Sequence, residues 1–170
     1  MIAQPTRLTL LRALISHPEC TVSGLAEAIH VSKGVASTNL RAINARGLIT
    51  SRQAGKYVFY SAQANPHVDN APEILEALEA AFSAGMSNGQ IIHCATAFTN
   101  RRRIEIVRVL RHGVRSLRGL LIETDIPHPA LHRHLRKLTR RDVVFQEDSL
   151  YSLKTPAHPF AGVLLEIATA

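Results

Sequence analysis

Two sets of cationic and hydrogen-bonding side chains recur at helical spacing, Lys33, Ser37, Thr38 and Arg41 in the first half and His128, His132, Arg133 and Arg136 in the second. Steps of three and four residues put each set on one face of an α-helix. A guanidinium can grip the O6/N7 edge of guanine, a second cation can meet a phosphate, and a hydroxyl or imidazole can serve either purpose. Arg133 is the expected base reader, with Arg41 and Arg136 as expected phosphate contacts. Two further cations, Arg52 and Lys56, flank the Ala54-Gly55 turn and suit phosphate or minor-groove contact. A lone helix with such a face would read as solvated surface. Two of them, each following a short helix and a turn, read as DNA-facing.

Other chemistries fit less well. His128 and His132 are four residues apart, as in some zinc pairs, but they lie on the DNA-facing side and the expected helix 128–140 holds no carboxylate to complete a site. His93-Cys94 is likewise isolated, and Cys94 reads as a buried structural thiol. No metal or other cofactor is expected. There is no glycine-rich phosphate loop, nucleophile elbow or framed pair of carboxylates, so the chain is not read as an enzyme.

The elements that must hold these residues can be traced. Leu8, Leu11, Leu14 and Ile15 form one apolar stripe of a first helix, with His17-Pro18 as its stop. Thr21 or Ser23 can cap a second helix carrying Leu25, Ala28 and Ile29, and Ser32 can cap a third with Ala36, Leu40 and Ile43 inward. Gly47 supplies a left-handed stop. Residues 48–53 and 57–62 then alternate as a hairpin. The second half repeats the order: helix 103–111, helix 116–123, turn 125–127, helix 128–140, and a shorter hairpin over 143–146 and 150–153. Shifting the chain by 95 positions lays 22–50 on 117–145 without a gap, so that Gly24 meets Gly119, Leu40 meets Leu135 and Arg41 meets Arg136. Helices are also expected over 72–82, 91–98 and 159–168. The apolar residues Ile74, Leu75, Leu78, Val163, Leu164 and Ile167 have no evident place inside either small unit and are expected to pair with other helices.

The sequence as a whole carries a formal net charge of +7 over 170 residues, which favours an anionic partner. Residues 1–85 hold 7 Lys/Arg against 6 Asp/Glu, and residues 86–170 hold 13 against 7, so the excess lies in the second half. The second hairpin carries Glu147-Asp148, which would repel phosphate. The run Arg101-Arg102-Arg103 opens a helix, where the dipole disfavours cations, and is expected at phosphate or in solvent. No stretch approaches the ~20 apolar residues of a membrane span, and no basic segment followed by a long apolar run opens the chain. With only two isolated cysteines, a cytoplasmic location is expected.

At residues 4–14, Gln4-Pro5-Thr6-Arg7-Leu8-Thr9-Leu10-Leu11-Arg12-Ala13-Leu14, and at residues 129–138, Pro129-Ala130-Leu131-His132-Arg133-His134-Leu135-Arg136-Lys137-Leu138, the chain resembles the opening helix and the recognition helix of the arsenic-repressor (ArsR-like) transcription factors. The resemblance implies a winged helix-turn-helix in each half. It also places the metal-sensing thiolate pair of that family on the second helix, where this chain has Thr21 and Ser23, so soft-metal ligation is not expected. The expected fold is therefore mainly α with small β-hairpins (α+β), two tandem winged helix-turn-helix units joined by helices. The first unit would occupy 1–84, a linker 85–90 and the second unit 91–170. The expected function is that of a sequence-specific transcriptional regulator whose partner is double-stranded DNA, read with two recognition helices. It would work as a pseudo-dimeric monomer or as a homodimer, with no membrane partner. The alternative is a protein-interaction adaptor of tandem winged helices in a chromosome-organising or complex-assembly role, which the acidic face Glu73, Glu76 and Glu79 would suit.

Overall fold

The leucines at helical spacing near the start form α1, Pro5–Ser16, which opens on a proline and buries Leu8, Leu10, Leu11 and Leu14. Leu10 lies off the expected stripe, and Ile15 is only partly buried. The computed structural model describes residues 3–17 and 19–170. Pro18, expected to stop this helix, lies outside them. The described end is made by His17, whose N–H donates to the Leu14 carbonyl at 3.2 Å. Contacts divide the chain into two units, Met1–Ile92 and His93–Ala170.

In the first unit a two-residue strand β1, Cys20–Thr21, precedes α2, Val22–Ala28, and α3, Lys33–Asn44. Thr21 Oγ1 accepts from the Gly24 N–H at 3.2 Å, and Ser32 Oγ from the Val35 N–H at 3.3 Å. Each hydroxyl satisfies an N–H that the helix start leaves without a partner. On α2 it is Ala26, not Ala28, that joins Leu25 inside. On α3 the expected Ala36, Leu40 and Ile43 are the buried positions. β2, Thr50–Ala54, and β3, Tyr57–Ser61, pair antiparallel, and β1 adds to β3 to give the order β1-β3-β2. The sequence reading missed β1 because two residues carry no alternation to detect. Gly47 takes φ +71° with Val68 packed against it, so a Cβ there would stand 2.6 Å from the Val68 Cβ. α4, Ala71–Ser83, closes the unit, burying Leu75 and Leu78 and leaving Glu73 and Glu76 exposed. Arg12 of α1 lies 4.0 Å from the centre of the Phe82 ring and donates to the Met86 carbonyl at 2.8 Å, which ties the chain beyond α4 back to the first helix.

The expected linker is only partly non-helical. Gly85 takes φ +77°, but α5, Asn88–Ala95, begins inside the segment, and the division between units falls within it.

In the second unit a 3₁₀ turn, Thr96–Phe98, leads into α6, Arg101–Arg111, capped by Asn100 Oδ1. β4, Arg115–Ser116, α7, Leu117–Thr124, and α8, His128–Thr139, follow. β5, Val144–Glu147, and β6, Leu150–Leu153, join β4 in the order β4-β6-β5. β1 and β4, α2 and α7, and α3 and α8 each start 95 residues apart. The cap of α2 follows the same shift, since Ser116 Oγ accepts from the Gly119 N–H at 3.1 Å, while the Ser32 cap of α3 has no counterpart on α8. The core gathers Ile106, Val107 and Leu110 of α6, Leu120 of α7, Leu131, Leu135 and Leu138 of α8, and Tyr151.

The last helix, α9, Pro159–Thr169, corrects one expectation. Its apolar face does have a place inside its own unit, because it packs on α6 and the 3₁₀ turn. Leu165 enters the core and Leu164 is buried, while Val163 and Ile167 are partly covered. Arg108 Nε donates to the Ala168 carbonyl at 2.9 Å, and Arg111 grips Glu166 with two bonds of 2.8 and 2.9 Å. The architecture is thus mainly helical with small antiparallel hairpins, the α+β class expected.

Candidate nucleic-acid interface

In the first unit Lys33, Thr38 and Arg41 stand exposed on α3, and Ser37 is partly buried beside them. Arg41 Nη2 donates to Ser37 Oγ at 3.0 Å, one helical turn back. Ser37 therefore accepts from the guanidinium and keeps its own O–H to donate. Val35 is also exposed, at 42%, and gives this face an apolar point suited to a thymine methyl.

The two wing cations part company. Arg52 is not free at the hairpin tip. It is held by Glu19 through bonds of 3.0 and 3.1 Å from Nη2 and 3.3 Å from Nε, and it lies over the Phe59 ring. Its position opposite Phe59 in the β2–β3 register brings it within reach of the residue preceding β1. The pairing could not be read from a sequence separation of 33 residues. Lys56 does occupy the tip, beside Gly55 at φ +58°, with its ammonium 5.3 Å from the exposed Tyr57 ring.

In the second unit His128, His132, Arg133 and Arg136 are all exposed on α8. The two imidazoles meet edge to face with centroids 4.6 Å apart. Sequence reading missed what continues beyond them. His93, Arg133, Arg136, Lys137, Arg140 and Arg141 line one cleft. The signal was present in the cations at 133, 136, 137 and 140, which keep the same spacing of three and four. The cationic field reaches the inner face of α8. There burial, and after it the charges of Arg103, Arg133, Arg102 and Lys137, hold the His134 imidazole below its ordinary pKa.

The arginine run at the start of α6 divides. Arg101 and Arg102 are exposed, but Arg103 is buried and committed to the protein. It donates to the carbonyls of Ala97 and Thr96, both at 2.7 Å, and to Thr99 Oγ1 at 3.0 Å. Its task is to close the 3₁₀ turn, which corrects the expectation of phosphate or solvent. The second hairpin turns through Asp148 and Ser149, both left-handed at φ +45° and +66°, and brings no cation to its tip.

No group of three or more His, Cys, Asp or Glu suited to a metal occurs among the described residues. Thr21 spends its hydroxyl as a cap, and Ser23 is exposed. Burial pushes the Cys20 and Cys94 thiols up, away from the thiolate. Cys94 is half-buried in a cavity with Phe98, Val143 and Leu165. Among the described residues no helix is long and apolar enough to cross a membrane.

Residues 4–56 match a family model described as MarR family. Over 69 residues the chain is 39% identical to a transcriptional repressor SmtB homolog of Synechocystis sp., a stretch covering 41% of this chain and 51% of the relative. The chain thus spans about half the length of the curated relative it matches. Among solved structures, reduced HlyU from Vibrio cholerae N16961 is 23% identical with a TM-score of 0.39, covering 48% of this chain and 80% of that chain. A chain of the Nse1-Nse3-Nse4 complex is 12% identical with a TM-score of 0.27, covering 89% and 69%. The expected resemblance to ArsR-like regulators is thus supported over part of the chain, by a MarR family match at residues 4–56 and by a relative that is named a transcriptional repressor.

Proposed function

We propose that this chain is a transcriptional regulator built from two tandem winged helix-turn-helix units, which binds duplex DNA by inserting α3 and α8 into the major groove. The observation that carries the reading is the pair of helices itself. They start 95 residues apart, each follows a strand and a capped helix, and each turns an exposed cationic face outward. A major groove admits one α-helix, which touches base edges with residues near its N-terminal end. Lys33 and Thr38 on α3, and His128, His132 and Arg133 on α8, are the base-facing residues in this reading. Arg41, held by Ser37, and Arg136 meet phosphates. Lys56 on the first wing adds a phosphate or minor-groove contact, while Arg52 braces that wing through Glu19. Because the two helices differ in sequence, the site they read on DNA is asymmetric.

The experiment is affinity for a mixed-sequence duplex measured against salt concentration. Cations that displace condensed counterions give a linear fall of log K with log salt, at about 0.9 per phosphate met. A steep fall is the expected result. A flat response, or no binding at low salt, would overturn the nucleic-acid reading and favour an adaptor role instead.

A further inference from the structure

α3 and α8 agree closely at their buried positions and diverge on the C-terminal half of the exposed face. Where α3 has Ala42 and Ala45, α8 has Lys137 and Arg140. Arg133 with Lys137, and Arg136 with Arg140, are like charges one turn apart, an arrangement that costs helix stability. The helix C-terminus offsets part of that cost through its dipole, but only for cations in the last turn.

The protein does nothing visible to neutralise the cluster. Arg103, Arg108, Arg111 and Arg115 of the same unit are each held by protein oxygen atoms. Arg133, Arg136, Lys137, Arg140 and Arg141 pair with no carboxylate of the described residues. Asp142, next to Arg141 in the chain, is engaged by Lys154 at 2.8 Å and stands 3.8 Å from His93 Nε2. Five permanent cations, with His93 beside them, line a cleft of about 420 Å³. Three of the five are arginines with forked donors matched to phosphate oxygens, apart from the Arg133 assigned above to base contact.

We infer that this cleft at the C-terminal half of α8 is a phosphate-binding site that takes the duplex backbone beyond the stretch of groove read by the helix start. It belongs to the second unit alone, because the first unit has alanines at the two decisive positions. The inference rests on the proposed duplex-DNA reading. It adds a second, sequence-independent hold to one end of the site, so the second unit grips DNA more by charge than the first.

The test is the double substitution Lys137→Ala/Arg140→Ala, which gives α8 the side chains α3 carries. Both residues are exposed, and alanine favours helix. Lys137→Gln/Arg140→Gln is the companion if the alanine pair disturbs folding by circular dichroism. Affinity for a mixed-sequence duplex is measured between about 50 and about 200 mM salt. Removing two phosphate contacts should make the log–log slope shallower by about two, so the wild type loses about tenfold more affinity over that range than the variant. Tripolyphosphate titrated by calorimetry forms the second arm. A wild type that binds duplex with a slope the variant shares would overturn this inference and leave the DNA reading intact. Tripolyphosphate binding that the variant loses, with that slope unchanged, would assign the cleft to a free polyphosphate and overturn the duplex claim. A wild type that binds no duplex would remove the DNA reading itself, and this inference with it.

Discussion

Gly47 and Asp142 stand 95 residues apart at the same station beyond α3 and α8, and both hold the left-handed backbone, at φ +71° and +57°. The backbone demand is the same and the neighbours are not. Behind Gly47 the Val68 side chain leaves no room for a Cβ, and the Gly47 carbonyl accepts from the Asn65 N–H at 2.7 Å. Behind Asp142 there is room, and the side chain is used to hold Lys154 and His93. One unit fills the corner with packing and the other with charge. A repeated fold thus fixes φ and ψ at a position while leaving the chemistry of that position free to diverge.

The comparison breaks most sharply at Gly47. Gly47→Ala must force a Cβ against Val68 and also hold a non-glycine residue left-handed. The expected loss is about 2–4 kcal/mol, from overpacking and left-handed strain together, read as a fall in the urea midpoint. Adding Val68→Ala removes the two Cγ atoms but keeps the Cβ that stands 2.6 Å away, so it should return only part of the loss. A G47A variant as stable as wild type would show that the two stations are equivalent after all.

A smaller effect tests the starts of the same two helices. Ser32 caps α3, whereas α8 begins after Pro127 with no side-chain cap. Ser32→Ala should cost about 1 kcal/mol in thermal or chemical denaturation. If it costs nothing, the hydroxyl is not what separates the two helix starts.

The smallest expected effect concerns the charge at the second station. The hydrogen bond from Lys154, then its charge, with a further contribution from His93, hold the Asp142 carboxyl below the usual range. A lowered folded pKa means the stabilisation is fully present above the unfolded carboxylate value of about 3.9, and is lost as pH falls through the folded one. The Asp142 side chain is 63% exposed, so the term is under about 1 kcal/mol. Asp142→Asn should be less stable than wild type at neutral pH and converge with it toward about pH 2. A constant gap across that range would assign the loss to something other than ionisation.

Helix order and helix caps were legible because they are local. An apolar stripe, a hydroxyl three residues before an N–H and a glycine past a helix end all act within a few residues of one another. The 95-residue shift made each half a check on the other. What stayed hidden was set by partners distant in sequence. β1 and β4 exist only because β3 and β6 offer an edge. Arg52 finds Glu19 33 residues away, and α9 finds α6 across 60 residues, from Arg108 to Ala168. Arg103 shows the opposite limit. Its acceptors, Thr96, Ala97 and Thr99, are near in sequence, yet an arginine in a run of three reads as surface until the turn that wraps it is seen. Of the expected interface, the exposed cations on α3 and α8 could be anticipated from spacing. Their extension through Lys137, Arg140 and Arg141 could have been, had the count continued one turn further.

The Thr21 cap has a consequence for the paths open to sequence drift. Its hydroxyl is bonded to the Gly24 N–H, and its backbone pairs with Phe59 in the sheet. The ArsR-like resemblance puts a metal-binding thiol at this place. A change to cysteine would exchange a hydroxyl acceptor for sulfur, which accepts weakly, and would give up about 1 kcal/mol of capping before any metal could repay it. Ser116 caps α7 in the same way in the second unit, so the same slope meets a lineage starting from either half. With stabilities of globular domains at about 5–15 kcal/mol, a step of that size takes up a noticeable share of the margin without by itself unfolding the domain. At either place a thiol would have to offset a weakened cap before it could serve a soft metal.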